Sequence, residues 1–216
     1  MDYTVEYYEK PDGTRPAEDF ILSQDDKMQG KLFAALELLE MKGPTLREPF
    51  SKALQDGIFE VRAKQGTNIS RVLYFFVVGK KVILTNGFVK KTMKTPRSEI
   101  ERAKRYRADY EHQEEACVMG KNFRETLNER LKDPAFLAEW NAQEPERQIM
   151  RAIAEGREDA GLTQAQLAQA TGINQANISR LENGTGNPSL QTLKRLAAGM
   201  GMKLKLEFVP IRDSSR

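Results

Sequence analysis

One cysteine and one histidine occur among 216 residues. A single thiol, Cys117, excludes an internal disulfide framework and a thiolate-rich metal site. No apolar run approaches the roughly 18–20 residues needed to cross a bilayer. The opening MDYTVEYYEK has neither the basic start nor the apolar stretch of a secretory leader. The expectation is a cytoplasmic chain. Acid is also scarce in one place. Residues 57–107 hold 13 Lys and Arg against Glu60, Glu99 and Glu101, a balance of +10 in a chain whose total is only +3. Such a concentration points to a polyanionic partner, the alternative being a solvated basic face.

The remaining composition, 39% hydrophobic and 30% charged, is that of an ordinary folded chain of one or two domains. Residues 2–8 are rich in β-branched and aromatic types and predict a strand. Lys10-Pro11-Asp12-Gly13 has turn chemistry, and Pro16 suits a first helical position. Met28, Leu32, Phe33, Leu36 and Leu39 recur at helical spacing until Gly43-Pro44. Residues 58–64 alternate, with Phe59, Val61 and Ala63 on one side and Glu60, Arg62 and Lys64 on the other. Residues 69–78 are apolar on both faces after Arg71, as a central strand is, and Gly79-Lys80 turns into a further strand over 81–88. A helix starts near Pro96. The reading is an α+β domain over 1–112, ordered β-α-α-β-β-β-α with an antiparallel-rich sheet.

Residues 113–120 read as a linker, and residues 121–216 as an all-α domain ending in a strand. Phe123, Leu127 and Leu131 fit one short helix, Asp133-Pro134 opens a second through Trp140, and Pro145 opens a third that Gly161 closes. Phe136 and Trp140 read as packing anchors, either within the second domain or against the first. Residues 203–209 alternate as a strand that lacks a partner. It either joins another sheet or pairs with itself in a homodimer through residues 202–209.

Residues 162–201 carry the most specific pattern. Helices over 164–171 and about 175–182 flank a turn at Gly172, Thr163 and Gln166 form a capping box, and small Ala168 and Ala176 permit a close, steep crossing. Asn174, Gln175, Asn177 and Arg180 point outward, offering amides and a guanidinium of the kind that read base edges. With Gln164, Ala168, Gly172, the run Ile178-Ser179-Arg180-Leu181-Glu182 and Pro188-Ser189-Leu190, the segment resembles the Cro/repressor-type helix-turn-helix family. That resemblance implies operator DNA as partner. Gln175, Asn177 and Asn174 would contact bases, while Gln164, Arg180 and Lys194 would contact phosphates.

The first domain, through its element order and 57-GIFEVRAK-64, 69-ISRVLYFF-76 and 87-GFVKKTMKTP-96, resembles the RelE/ParE toxin superfamily in its HigB-type, Gp49-like branch. The second resembles the HigA-type antitoxin. The resemblance implies mRNA cleavage on the ribosome by the first part, and inhibition with operator binding by the second. The chemistry agrees from below. An RNA 2′-hydroxyl can attack its own phosphodiester if a proton is removed, the phosphorane charge is neutralised and the 5′-oxygen is protonated. His112, the only histidine, lies at the domain's end, so arginines and lysines must supply this, with no metal or cofactor. Arg62, Lys64, Arg71, Lys90 and Lys91 are the candidates, with Thr92 as a donor. Lys64 or Lys91 would be the base, its pKa lowered by like charges, and Arg62 and Arg71 would hold the phosphate. Tyr74 either stacks on a base or sits in the core.

Both parts in one chain imply a fusion with an intramolecular toxin–antitoxin contact. The helices of 121–160 are expected to cover the basic face or to lock the first domain in place, with Glu125, Glu129, Glu139, Glu144 and Glu146 as candidates to meet that surface; the alternative is inhibition at a distance that leaves the cationic face open. Two rival readings remain: a transcriptional regulator with a non-catalytic first domain, and a gyrase-targeting ParE-like poison.

Overall fold

Residues 3–48, 50–90, 94–114, 120–182, 184 and 186–208 are described by a computed structural model of the chain. They divide into two units, Met1–Gln148 and Ile149–Arg216. The first contains β1 (Thr4–Tyr7), α1 (Pro16–Leu22), α2 (Asp26–Lys42), β2 (Ser51–Ala53), β3 (Phe59–Gln65), β4 (Asn68–Val77), β5 (Lys81–Val89), α3 (Arg97–Glu114), α4 (Phe123–Arg130) and α5 (Pro134–Ala142). The sheet order is β1-β5-β4-β3-β2; β1 runs parallel to β5 and every other pairing is antiparallel. The sequence reading names each of these elements except β2, whose three residues are too short to show a period. Pro16 does open α1, and α2 starts where the Asp25 side chain accepts from the Met28 N–H.

One irregularity decides how the sheet presents its side chains. Leu84 pairs with Tyr74 but Asn86 pairs with Leu73, so Thr85 is an extra residue, a β-bulge. Its hydroxyl donates to the Leu73 carbonyl at 3.1 Å. Before the bulge Ile83 faces the cluster of Leu73, Phe75, Ala103 and Tyr110 beneath α3; after it Phe88 packs on that same cluster. The parity of β5 has therefore switched. Gly87 is turned to the opposite face, where the Phe20 ring of α1 lies so close that an added Cβ would sit 1.9 Å from it. That face also carries Ser70, whose hydroxyl donates to Gln24 beside α2. It carries Tyr74 too, stacked on Phe59 and hydrogen-bonded to Ser51 at 2.6 Å. Tyr74 is 1% exposed and belongs to the core.

Helices α4 and α5 complete this unit on the outer side of α2. Phe136 is fully buried, edge-on to Phe33 of α2, with the Arg130 guanidinium over its ring at 4.8 Å. Phe123 and Leu127 are buried as well; each such side chain contributes about 1.5–3 kcal/mol relative to exposure. The chain just before α4 joins the sheet edge, where the Tyr7 N–H donates to the Lys121 carbonyl at 2.9 Å.

The ion pairs across this contact have the opposite polarity to that expected. Arg124 meets Glu37 and Glu40, Arg130 meets Asp26, and Lys121 meets Glu18. Of the carboxylates proposed to meet the basic stretch, Glu129 pairs with Lys121 and Glu144 with Arg147. Glu139 approaches a first-half cation, Lys27 at 4.0 Å, and Glu146 acts electrostatically on Lys31; both lysines lie outside 57–107. Summed charge misled here because individual carboxylates of α1 and α2, Glu18, Asp26, Glu37 and Glu40, meet the cations of residues 121–130.

The second unit contains α7 (Gln164–Thr171), α8 (Gln175–Glu182) and α9 (Leu190–Gly199), with α6 (Glu144–Asp159) leading into it. Ile153, Leu167, Ile173, Ile178, Leu181 and Leu196 form its core. Thr163 and Gln166 make the reciprocal capping bonds. Gly172, at φ 64°, takes the left-handed conformation that a side chain disfavours and so turns α7 into α8. Residues 202–208 form no strand among the described residues, because nothing in this unit offers a strand to pair with them; position 209 lies outside the described residues.

Candidate functional site

Two surfaces answer to the sequence reading, one in each unit. In the first, Arg62 of β3 and Arg71 of β4 are directly opposite in the ladder. Both stand on the α3 face, in phase with Leu73 and Phe88. Lys64 is in phase with Arg62, and Lys90, two residues past Phe88, continues the β5 edge with its N–H on the Ile69 carbonyl at 2.7 Å. The bulge at Thr85 places Phe88 and Lys90 on this side. Without it the alternation of β5 would send them to the α1 face. Lys64 and Lys90 have no ion-pair partner among the described residues. Lys91 and Thr92 lie outside the described residues, as does Cys117.

The arginines are not bare. Glu60, 0% exposed, takes Arg62 on Oε1 and Arg71 on Oε2. The Arg62 side chain is 22% exposed and Arg71 only 6%. Thr95 also bonds Glu60 and Arg71, tying the start of α3 to the sheet. Arg62, Lys64 and Lys90 are thus the groups a ligand meets first, with Arg71 set behind them. Sequence reasoning counted Glu60 as a minority acid and missed its place. The available signal was its phase, two residues before Arg62 on one strand face. Lys31 was missed too. Its ammonium donates to the Lys64 carbonyl at 3.0 Å. Burial holds its pKa below the ordinary lysine range, and neighbouring Lys27 adds to the effect. His112 is exposed at the end of α3. No group of three or more His, Cys, Asp or Glu among the described residues could hold a metal.

In the second unit Gln175, Asn177 and Arg180 are exposed on α8, and Lys194 is exposed on α9. Asn174 is exposed as well, but its Oδ1 accepts from the Ala176 N–H at 2.8 Å and caps the helix. The Gln164 side chain turns inward and donates to Glu182 at 2.6 Å. Glu182 is the buried anchor of α8: Arg157 donates to it at 2.6 Å and to the Leu162 carbonyl at 2.9 Å. One carboxylate therefore connects α6, α7 and α8 and fixes the angle at which α8 is presented. Arg195 donates to the Thr171 carbonyl and closes the C-terminal end of α7.

The comparisons with known proteins agree with this division. Residues 19–108 match the family described as phage derived protein Gp49-like, and residues 153–206 match the helix-turn-helix family. A curated relative, an uncharacterized HTH-type transcriptional regulator of Haemophilus influenzae, is 36% identical over 64 residues, 30% of this chain. The match spans 63% of that relative's length.

Proposed function

Since this chain is Gp49-like over residues 19–108 and a helix-turn-helix protein over residues 153–206, we propose that it is a toxin–antitoxin fusion of HigB–HigA type. Its first part is a ribosome-dependent mRNA endonuclease, and its helix-turn-helix part represses its own operator. The observation that carries the reading is the meeting of Arg62, Arg71, Lys64 and Lys90 on one face of the sheet. A phosphodiester there would be held by Arg62 and the lysines while the 2′-oxygen attacks phosphorus and the bond to the 5′-oxygen breaks. Lys64, or Lys91 beyond the described residues, takes the 2′-hydroxyl proton, and the ammonium of a neighbouring lysine gives a proton to the departing 5′-oxygen. The products are a 2′,3′-cyclic phosphate and a 5′-hydroxyl. Thr92 and Arg71 support the phosphate.

Residues 1–112 are the toxin part, 113–120 the linker and 121–216 the antitoxin part in this reading. Residues 120–142 then secure the antitoxin to the toxin from the α2 side, not over the cationic face. Within the first unit this favours inhibition at a distance, such as exclusion from the ribosome, over plugging of the site. In the antitoxin, Gln175 and Asn177 read bases, joined by the free amide nitrogen of Asn174, and Arg180 and Lys194 position the helix on phosphates, with Gln164 at its edge. Two copies pair through residues 202–209 and present two recognition helices to a two-fold operator. The cytoplasm is where both targets are found.

The rival, a regulator whose first domain cleaves nothing, draws on one observation: both guanidiniums already hold Glu60. Tightly controlled expression of residues 1–112 separates the readings. New RNA 5′-hydroxyl ends that vanish with Arg62→Ala or Lys91→Ala support the nuclease. Intact RNA with damaged DNA indicates a gyrase poison, and harmless expression of a folded fragment indicates the regulator.

A further inference from the structure

Two guanidiniums directly across a ladder repel, since their Cβ atoms are about 4.5–5.5 Å apart. Arg62 and Arg71 are in that position, and Glu60, two residues before Arg62 on the same face of β3, is diagonal to Arg71. Its Oε1 accepts from Arg62 Nε at 2.7 Å and lies 2.7 Å from Nη2. Its Oε2 accepts from Arg71 Nη1 at 2.9 Å and from the Thr95 hydroxyl at 2.5 Å. Arg62 Nη1 has no partner among the described residues. A fully buried carboxylate is costly unless its oxygens are filled, and here they are. The arrangement also leaves Arg71 Nε buried without an acceptor among the described residues, a cost that a merely space-filling core would avoid.

We infer that Glu60 is a positioning residue for the cationic face: it holds Arg62 through Nε and Nη2 and leaves Nη1 to a ligand, backs it with Arg71, and through Thr95 fixes the end of the lysine stretch. The inference rests on the reading of this face as an RNA-phosphate site. The other role a carboxylate between two arginines could have is that of a phosphate mimic which must leave before RNA binds. Complete burial argues against it, because a competitor for ligand would stand where ligand arrives, and this one lies beneath three donors.

The test uses the full chain and a short single-stranded RNA with 2′-O-methyl groups, which binds but cannot be cleaved. Wild type, Glu60→Gln and Thr95→Val are compared by thermal midpoint, by binding, and by hydrogen exchange of the Arg62 and Arg71 Nε–H groups in nitrogen-15 spectra. Expected for Glu60→Gln is loss of Arg62 Nε–H protection together with roughly tenfold weaker RNA binding, about 1.4 kcal/mol. Thr95→Val should show the same changes to a smaller extent and serves if Glu60→Gln does not fold. Equal or tighter RNA binding by the variants overturns the positioning role, and tighter binding establishes the mimic. Absence of RNA binding by wild type, with its Arg62 Nε–H protected, overturns instead the functional reading of the face.

Discussion

At the scale of single residues, two buried carboxylates do equivalent jobs in the two units. Glu60 gathers Arg62, Arg71 and Thr95; Glu182 gathers Arg157 and Gln164. Each holds cations or amides that would otherwise find different rotamers. Breaking a buried pair from one side leaves the other charge uncompensated, at about 3–5 kcal/mol. Arg157→Met should therefore lower the stability of the second unit by that order in urea unfolding, and a simultaneous Glu182→Leu should recover much of it. A double variant no better than the single would remove the ion pair from the account. On the exposed side of α8, Asn177→Ala should cost about 1–3 kcal/mol in operator binding with the fold unchanged, as a lost bidentate base contact does. Unchanged affinity and sequence preference would take Asn177 out of the readout. The alternation of residues 58–64 made the shared face of Arg62 and Lys64 legible from the sequence. The burial of Glu60 was not, because it depends on Thr95, 35 residues later. Nor was the side taken by Lys90, since counting by twos fails across the bulge at Thr85.

At the scale of elements, the helix-turn-helix was readable almost to the residue, because caps, a left-handed glycine and 3.6-residue spacing are all local signals. The docking of α4 and α5 on α2 was not readable, because it joins segments about a hundred residues apart through side chains whose charges cancel in any sum. This contact is a clasp with an apolar centre and an ionic rim. Phe136→Ala should destabilise the first unit by about 3–5 kcal/mol in chemical denaturation. A loss under about 1 kcal/mol would mean that α5 is not part of its folded core. The rim carries a pH signature. Burial alone would raise the Glu18 carboxylate, but hydrogen bonds from Lys121 and Thr126 hold its pKa below the ordinary value. Burial would lower Lys121, but Glu18 and Glu129 hold it above. A depressed carboxylate stabilises fully above its unfolded value of about 4.3 and loses this as pH falls through the folded one. A raised ammonium stabilises fully below about 10.4 and loses this as pH rises through its folded value. The difference in melting temperature between wild type and Glu18→Gln should therefore be constant near neutrality and shrink in acid. A difference that does not vary with pH would contradict the pairing.

At the scale of the whole chain, covalent linkage in the proposed fusion keeps the antitoxin part at high effective concentration beside the first domain. The clasp of residues 120–142 adds a specific seat on the α2 side. The composition announced only that a cationic stretch existed. The family patterns over residues 19–108 and 153–206 give each half its kind, and the geometry of β3, β4 and β5 gathers the cations on one face. The central claim is that this face cleaves RNA. Its most direct measurement is the mapping of RNA 5′-hydroxyl ends in cells after brief induction of residues 1–112, with the fragment's folded state checked by near-ultraviolet circular dichroism. The account predicts new 5′-hydroxyl ends within translated messages for the wild-type fragment and none for an equally folded Arg62→Ala fragment. A folded wild-type fragment that leaves messages intact, or an Arg62→Ala fragment that cleaves as well as wild type, would contradict it.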